Sequence, residues 1–206
     1  MGCSGDFAVV ADACERCGLP QPVMRCPRLE TPWHVDSVVA PFRYSIPLHQ
    51  HVQALKYHRA RKLGRALGLL LAERLELRGA GIDALVAVPM HPARVRQRGY
   101  NQAVEIARTV AGELALPLLI RGVRRISAAP PQTALDASSR LINLDGAFSI
   151  ERPVAGLKLA IVDDVITTGA TINALARSLQ AAGAETPNAW AVARTFSERE
   201  SPGAAR

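Results

Sequence analysis

The sequence predicts an α/β fold whose sheet is mostly parallel and flanked by helices. Two segments carry this prediction, because each has the pattern of a buried strand, a loop and then a helix. The first runs from Ile82 to Leu114 and the second from Leu157 to Gly183. Both strands are apolar runs without polar alternation, which is typical of parallel strands covered on both faces. Loops at the carboxyl ends of parallel strands meet at one edge of the sheet, where such folds bind ligands.

Length and composition indicate one main domain with a small appendage. The 206 residues are 49% hydrophobic and 4% aromatic. No apolar window is long enough to span a membrane, and the amino-terminal residues lack the charged start and apolar stretch of a signal peptide. We therefore expect a cytoplasmic protein without a membrane span.

The chain is basic, with a formal net charge of +7. The basic residues concentrate in segments 56–65, 94–98 and 121–125. Such segments attract phosphates or nucleic acid through long-range electrostatics. A solvated basic surface explains the same pattern equally well.

Residues 1–35 differ from the rest because they hold all four cysteines, Cys3, Cys14, Cys17 and Cys26. Cys14 and Cys17 form a C-x-x-C pair, whose spacing lets two thiolates bind one tetrahedral metal ion. Four thiolates together would form a structural zinc site, and a cytoplasmic location argues against disulfides. The second pair of a full finger is missing, so free thiols or a degenerate finger remain equal alternatives.

Residues 36–196 are predicted to form the main domain, and the polar residues 197–206 a flexible tail. Pro41 favours an edge position for the first extended stretch of this domain. The remaining elements follow from hydrophobic periodicity. Strands are predicted over 35–44, 116–119 and 188–193, and helices from Pro47 to His58 and over the leucine stripe of 63–75.

The loop after the second buried strand has the chemistry of a phosphate site. Thr167, Thr168 and Thr171 offer hydroxyl donors, and Gly169 lets the backbone approach a ligand closely. The loop leads into a helix, whose free N–H groups and dipole favour an anion. A phosphate monoester fits this set of donors.

Two adjacent acids, Asp163 and Asp164, stand just before this loop. Carboxylates repel phosphate, but they accept hydrogen bonds from vicinal hydroxyls, directly or through the water shell of a metal. A ligand with a phosphate at one end and a diol nearby is a ribose 5-phosphate. The P-loop and G-x-G-x-x-G patterns are absent. The alternative is an ordinary strand–turn–helix in which a threonine caps the helix.

The stretch Val162–Thr171, with sequence VDDVITTGAT, resembles the phosphoribosyl-pyrophosphate (PRPP) motif of type I phosphoribosyltransferases. The resemblance implies PRPP and Mg²⁺ as ligands. It implies that Asp163 and Asp164 are the catalytic acids, which hold the ribose hydroxyls and favour positive charge at C1. The implied 5-phosphate site comprises Thr167, Thr168, Gly169, Ala170 and Thr171.

The loop after the first buried strand suits pyrophosphate, the leaving group of PRPP. It combines two prolines with three arginines, whose guanidinium groups bind phosphate oxygens in pairs. For His91 we expect a backbone contact in preference to acid catalysis. The predicted pyrophosphate-binding residues are Pro89, Met90, His91, Arg94 and Arg98.

The stretch Val88–Ala103 resembles the signature of ComF-family proteins, a phosphoribosyltransferase-like group associated with DNA uptake during natural competence. The chain also resembles GntX-type proteins. Segments 40–57 and 131–148 and the cysteine-bearing amino terminus are similar to the same family, so the resemblance covers nearly the whole chain. It implies a type I phosphoribosyltransferase fold with an N-terminal finger, here shorter and missing a cysteine. It also implies a mobile loop over the active site near 121–131, where an ordinary surface loop is the alternative.

Two functions follow from the resemblance. The first is transfer of a phosphoribosyl group from PRPP to an acceptor, for which no purine, pyrimidine or orotate pocket is recognisable in the sequence. The second is a non-catalytic role, as a PRPP- or nucleotide-sensing module or as an adaptor that binds single-stranded DNA for the competence machinery. The basic segments and the cysteines favour the second function, and the intact acid-and-threonine loop favours PRPP binding in both.

Overall fold

The protein forms an α/β fold in which a parallel sheet is flanked by helices, as the sequence predicts. The structure is a computed structural model that describes residues 7–21, 26, 33–75, 80–126 and 146–196. The strands are β1 (Val38–Val39), β2 (Phe42–Arg43), β3 (Ala84–Ala87), β4 (Val123–Arg125), β5 (Phe148–Ile150), β6 (Leu159–Ile166) and β7 (Asn188–Arg194). The helices are α1 (Leu48–Tyr57), α2 (Lys62–Glu73), α3 (Pro92–Arg98), α4 (Gln102–Glu113) and α5 (Ala170–Ala181).

The main sheet has the order β1–β7–β6–β3, and every pairing in it is parallel. The strand β2 also pairs with β7, beyond β1 and in the same direction. Pro41 lies between these two short strands, at the edge of the sheet where the sequence places it. The predicted strand at 116–119 contributes a single parallel bridge, between Leu118 and Leu85 of β3.

The strand β6 is the centre of this sheet, because it pairs with β3 on one side and with β7 on the other. Its first four residues, Leu159–Val162, are all fully buried. Helices α4 and α5 both contact β6. An apolar run without alternation suits a strand covered in this way. The carboxyl ends of β3 and β6 consequently lie at the same edge of the sheet.

Helices α2 and α4 pack against each other at very close range. A Cβ atom added at Gly68 would lie 2.6 Å from Cβ of Thr109 and 2.8 Å from the carbonyl oxygen of Ile106. A Cβ atom at Gly64, one turn earlier, would lie 2.6 Å from Cβ of Glu105. The two glycines therefore set the distance between the helices that cover the sheet.

Two local features differ from the sequence-based expectation. The arginine-bearing segment after β3, expected as a loop, is the short helix α3. Pro92 occupies its first turn, the side chain of His91 caps it, and Gly99 ends it with a φ of 89°. These are ordinary start and stop signals. The second feature is the antiparallel pair β4–β5, which the basic segment at 121–125 did not suggest.

Several expectations lie outside the described residues. They concern Cys3, the predicted tail at 197–206 and the part of the predicted mobile loop beyond residue 126. Among the helices that the structure describes, none combines the length and apolar character needed to cross a lipid bilayer.

The close contact between α2 and α4 predicts opposite effects for two glycine substitutions. Gly68→Ala should lower the free energy of unfolding by about 1–2 kcal/mol, because overpacking outweighs the gain in helix propensity. Gly112→Ala, in α4 with nothing within 4 Å of the added Cβ, should raise it by up to about 1 kcal/mol. Urea denaturation measures both. A Gly68→Ala variant as stable as Gly112→Ala would contradict the close packing.

Candidate functional site

The loops after β3 and β6 meet at the carboxyl edge of the sheet. The N–H of Val88 donates to the carbonyl oxygen of Val162 at 2.9 Å, so the pairing continues to the point where both strands end. Beyond it lies a cavity of about 180 Å³. Its lining consists of Lys56, Tyr57, Val88, Pro89, Met90, His91, Arg94, Arg98, Asn101, Gln102, Arg125, Asp163, Asp164 and Thr171.

This cavity brings together most of the residues that the sequence singles out. They are both acids, Thr171 of the threonine loop, and all five residues predicted to hold pyrophosphate. The rest of the threonine loop does not line it: Thr167 and Thr168 are exposed, and Gly169 and Ala170 are buried. The roles assigned to these residues remain predictions. Their proximity follows from the parallel order of β3 and β6.

Gly169 shapes the turn that leads from β6 into α5. It has a φ of 80°, a conformation that residues with a Cβ atom rarely adopt. A Cβ atom there would also lie 2.4 Å from the ring of Trp33. The hydroxyl of Thr168 accepts a hydrogen bond from the N–H of Ala170 at 3.3 Å. The next N–H groups of the first turn of α5 have no partner within the helix, as at any helix start.

Lys56 is a member of the site that the sequence analysis did not assign. Its Nζ lies 2.7 Å from Oδ2 of Asp164, whose side chain is almost fully buried. The Oδ1 atom of Asp164 accepts from the N–H of Val165 at 2.9 Å, whereas Oδ2 makes no hydrogen bond of good geometry. Lys56 is one of only three lysines in an arginine-rich chain. That rarity, at the end of a predicted helix, was the available signal.

The two acids are not equivalent. Burial and the negative charge of Asp164 raise the pKa of Asp163 well above its usual range, although the Lys56 ammonium acts in the opposite direction. Burial lowers the pKa of Lys56, but the charge and hydrogen bond of Asp164 and the charge of Asp163 together outweigh this and raise it. Lys56 and Asp164 therefore form a charged pair, and Asp163 is the acid whose ionisation the site opposes. Two carboxylates at a cavity are oxygen donors of the type that Mg²⁺ prefers.

The arginines of the cavity are held by neighbouring side chains. Arg98 donates from Nη1 to Oε1 of Gln102 at 2.6 Å, and its guanidinium lies 5.3 Å from the ring centroid of Tyr57. Arg125 lies over the ring of Phe148 at 5.6 Å. Burial and the nearby charge of Arg94 lower the pKa of Arg125. Adding an anion between the arginines would relieve this repulsion.

Asn101 holds the loop after β3 in place. Its Nδ2 donates to the carbonyl oxygen of Val88 at 2.9 Å, and its Oδ1 accepts from the N–H of Ala103 at 3.0 Å. Asn101 thus caps α4 and ties the start of that helix to the end of the strand. An asparagine just before a helical pattern is a recognisable capping signal. Its hydrogen bond to Val88 at the cavity depends on the tertiary structure and has no such signal in the sequence.

A second, larger cavity of about 410 Å³ shares a wall with the first. The shared residues include His91, Asn101 and Arg125, and apolar side chains such as Leu119 and Ile126 line the remainder. The loop after β3 therefore has open space on both sides. Arg125 stands at the boundary between the two cavities.

The cysteines Cys14, Cys17 and Cys26 form a compact cluster of free thiols, with their Sγ atoms all within 4.8 Å of one another. Zinc–sulfur bonds of about 2.3 Å place tetrahedral sulfur ligands roughly 4 Å apart, so the donor set fits a zinc ion. Burial raises the pKa of Cys17 to about 12, so this thiol ionises readily only when a cation is bound. The fourth predicted ligand, Cys3, lies outside the described residues.

A parallel sheet flanked by helices, with a cavity at the carboxyl ends of β3 and β6, is an α/β architecture that binds ligands at this edge. A family model described as phosphoribosyl transferase domain matches residues 54–201. The chain is 35% identical to the DNA utilization protein YhgH of Salmonella typhi, over 89% of this chain and 84% of that protein. It is 33% identical to competence protein F of Haemophilus influenzae, over 82% of this chain and 76% of that protein.

The chain therefore belongs to the phosphoribosyl transferase domain family, in the ComF branch that includes these competence and DNA utilization proteins. Among solved structures, the UMP synthase of Leishmania donovani is 20% identical, covering 71% of this chain and 24% of that chain, with a TM-score of 0.37. The family assignment rests on the sequence matches alone.

The raised pKa of Asp163 predicts a pH-dependent effect of Asp163→Asn on stability. Below the usual carboxyl pKa, Asp163 is protonated in both the folded and the unfolded state, so the substitution should change little. As the pH rises above the usual carboxyl pKa, the unfolded chain ionises while the folded protein keeps its proton. The wild type therefore loses stability until the folded-state pKa is passed, and the variant becomes the more stable protein.

Urea denaturation between pH 4 and pH 8 measures this difference. Asp36→Asn, at an exposed carboxylate, is the control and should give a small effect at every pH. If Asp163→Asn were less stable than the wild type at pH 8, the folded protein would favour the carboxylate of Asp163. The inference that folding disfavours ionisation of this acid would then be wrong.

Proposed function

We propose that the protein binds PRPP with Mg²⁺ and transfers the phosphoribosyl group to a nucleophilic acceptor, in a process linked to DNA uptake. The observation that carries the proposal is the cavity in which two adjacent acids, the start of α5 and an arginine-bearing loop converge. These are the three groups of donors and acceptors that a sugar with a phosphate, a diol and a pyrophosphate requires. Membership of the phosphoribosyl transferase domain family supports the same ligand.

The 5-phosphate would bind at the turn between β6 and α5. Thr167 and Thr168 are exposed there, and Thr171, the second residue of α5, lines the cavity. The free N–H groups at the helix start, with the helix dipole, stabilise a dianion. The left-handed conformation of Gly169 makes this tight turn possible.

The ribose hydroxyls would donate hydrogen bonds to Asp163 and Asp164. As the bond from C1 to pyrophosphate breaks, both its electrons leave with pyrophosphate, and positive charge develops at C1. The acceptor supplies the electron pair of the new bond and afterwards loses its proton. Negative charge on the two acids favours the developing positive charge. Lys56 already forms an ion pair with Asp164, and Mg²⁺ near Asp163 would favour the charged form of the second acid.

Pyrophosphate would leave toward the loop after β3. The backbone of Met90 and His91 and the side chains of Arg94 and Arg98 would receive it, and Arg125, which also lines the cavity, would extend this set. The side chain of His91 is engaged as the cap of α3, accepting from the N–H of Ala93 at 3.3 Å, which favours a backbone role. Mg²⁺, held by oxygens of PRPP near Asp163, would neutralise part of the pyrophosphate charge.

The link to DNA uptake comes from the relatives, which are named competence protein F and DNA utilization protein. A location in the cytoplasm agrees with this role and with free thiols in the cysteine cluster. A zinc ion bound to Cys14, Cys17 and Cys26, with Cys3 as the predicted fourth ligand, would be structural, because four thiolates fill a tetrahedral shell and leave no position for a substrate.

A second candidate function is a PRPP- or nucleotide-sensing adaptor, or one that binds single-stranded DNA, without turnover. Two exposed arginines of α3, Arg94 and Arg96, favour it because they are accessible to a polyanion, and Arg94 also lines the cavity. Binding of PRPP is common to both functions, so turnover distinguishes them.

Calorimetry with PRPP and Mg²⁺ tests the ligand. The wild type should bind, and the double variant Asp163→Asn, Asp164→Asn should show no measurable binding, because the acceptors of the ribose hydroxyls lose their charge. Asp36→Asn is the matched control and should bind like the wild type. Unchanged affinity in the double variant would refute the assignment of the acids. Pyrophosphate release with a panel of nucleobases then separates a transferase from a binding protein.

Binding of single-stranded DNA at several salt concentrations tests the adaptor. If α3 contacts phosphates, Arg96→Ala should weaken binding on all sequences and reduce the slope of log affinity against log salt by about 0.7. Arg177→Ala, at an exposed arginine of α5, is the control. No binding by the wild type even at low salt would exclude this second function.

A further inference from the structure

Arg194, the last residue of β7, connects two distant parts of the chain. Its side chain is only 3% exposed. Nε donates to the carbonyl oxygen of Cys17 at 3.1 Å, and Nη1 donates to that of Ile166 at 3.1 Å and also to that of Thr167. One guanidinium therefore binds the cysteine segment and the main chain of the loop after β6. The planar geometry of an arginine suits such a set of fixed acceptors, and a lysine cannot reproduce it.

Trp33 makes a second connection between the same two regions. The guanidinium of Arg194 lies 5.8 Å from the centroid of the Trp33 ring. The same ring contacts Gly169, where an added Cβ atom would lie 2.4 Å from it. The neighbouring His34 donates from its N–H to Oδ1 of Asn173 in α5. Trp33 and His34 therefore pack on the turn at Gly169 and on α5, the helix that follows it.

Cys17 stands where this network meets the thiol cluster. It is fully buried, and its Sγ lies within 4.8 Å of those of Cys14 and Cys26 while its carbonyl oxygen accepts from Arg194. The carbonyl oxygen of Cys14 accepts from the N–H groups of Cys17 and Gly18, at 3.3 and 2.7 Å. A metal ion on the three sulfurs would fix the position of Cys17, and with it one of the acceptors that orient Arg194.

We propose that Arg194 and Trp33 are positioning residues for the loop at 167–169, and that metal binding at the cysteine cluster orders this loop through them. Neither side chain lines the ligand cavity, so both act through the main chain of Ile166 and Thr167 and through the turn at Gly169. An anion that binds an already ordered loop loses less conformational freedom, so it binds more tightly. The effect on PRPP affinity rests on the proposed function, whereas the coupling between cluster and loop does not.

The experiment uses the full chain labelled with 5-fluorotryptophan, which gives one ¹⁹F resonance for each of the two tryptophans, Trp33 and Trp190. The protein is stripped of metal with a chelator and titrated with zinc. We expect about one equivalent of zinc to bind and to shift the resonance of Trp33, while that of Trp190, buried in β7, stays in place. Affinity for PRPP with Mg²⁺ should rise on the order of tenfold on zinc loading.

Arg194→Lys tests the route of the coupling. This variant keeps the positive charge but cannot hold the carbonyl oxygens of Cys17 and Thr167 together. We expect it to bind zinc while the Trp33 resonance and the PRPP affinity no longer respond. Arg177→Lys, at an exposed position on α5, is the matched control and should behave like the wild type. If Arg194→Lys fails to fold, Trp33→Phe replaces it: zinc should then raise PRPP affinity less than in the wild type.

The outcomes separate the two proposals. A wild-type protein that binds no PRPP in either metal state contradicts the proposed function, and the response of Trp33 to zinc still decides the coupling. The coupling is wrong if zinc does not bind, or if it binds without shifting Trp33. It is also wrong if Arg194→Lys retains the full response to zinc, or if Trp33→Phe, tested in its place, retains the full gain in PRPP affinity.

Discussion

The parallel pairing of β6 with both β3 and β7 is the constraint on which the rest of the structure depends. It buries Leu159–Val162 between helices, and it brings the carboxyl ends of β6 and β3 to one edge of the sheet. Two loops that are about 70 residues apart in sequence consequently share one cavity. Neither loop alone has the donors and acceptors that the proposed ligand, with its 5-phosphate, diol and pyrophosphate, requires. The site is therefore a product of sheet order, and any change that disturbs the packing of β6 should disturb ligand binding as well.

Charge at this edge is balanced within the protein before any ligand binds. Asp164 is buried and forms an ion pair with Lys56, which comes from the end of α1. Asp163 forms no such ion pair with the residues that the structure describes, and burial together with the charge of Asp164 raises its pKa. Two neighbouring acids with different environments can serve different purposes, one as a fixed acceptor and the other as a group whose charge depends on the ligand. The position of α1 determines this difference, because it brings Lys56 to Asp164.

The amino-terminal segment is part of the same structural unit in the described residues. Its backbone pairs with β1 and β2 through hydrogen bonds such as that from the N–H of Val38 to the carbonyl oxygen of Glu15. Arg194 binds carbonyl oxygens of both this segment and the end of β6, and Trp33 contacts Gly169 in the turn before α5. The cysteine cluster is thus close to the candidate phosphate site in structure although it lies about 150 residues away in sequence. The boundary at residue 35 remains a prediction about sequence composition, since these contacts cross it.

The sequence alone determined the fold class, the family and the identity of most cavity residues. Buried strands, helix caps and the VDDVITTGAT motif are local signals, because they depend on the period of apolar residues and on backbone preferences within a few positions. Lys56, Arg125 and Arg194 could not be assigned in this way. Each is one basic residue among 25, and its role depends on which carboxylate, ring or carbonyl oxygen the folded chain places beside it. Only the tertiary structure decided those pairings, because partners that are distant in sequence produce no periodic pattern in the sequence.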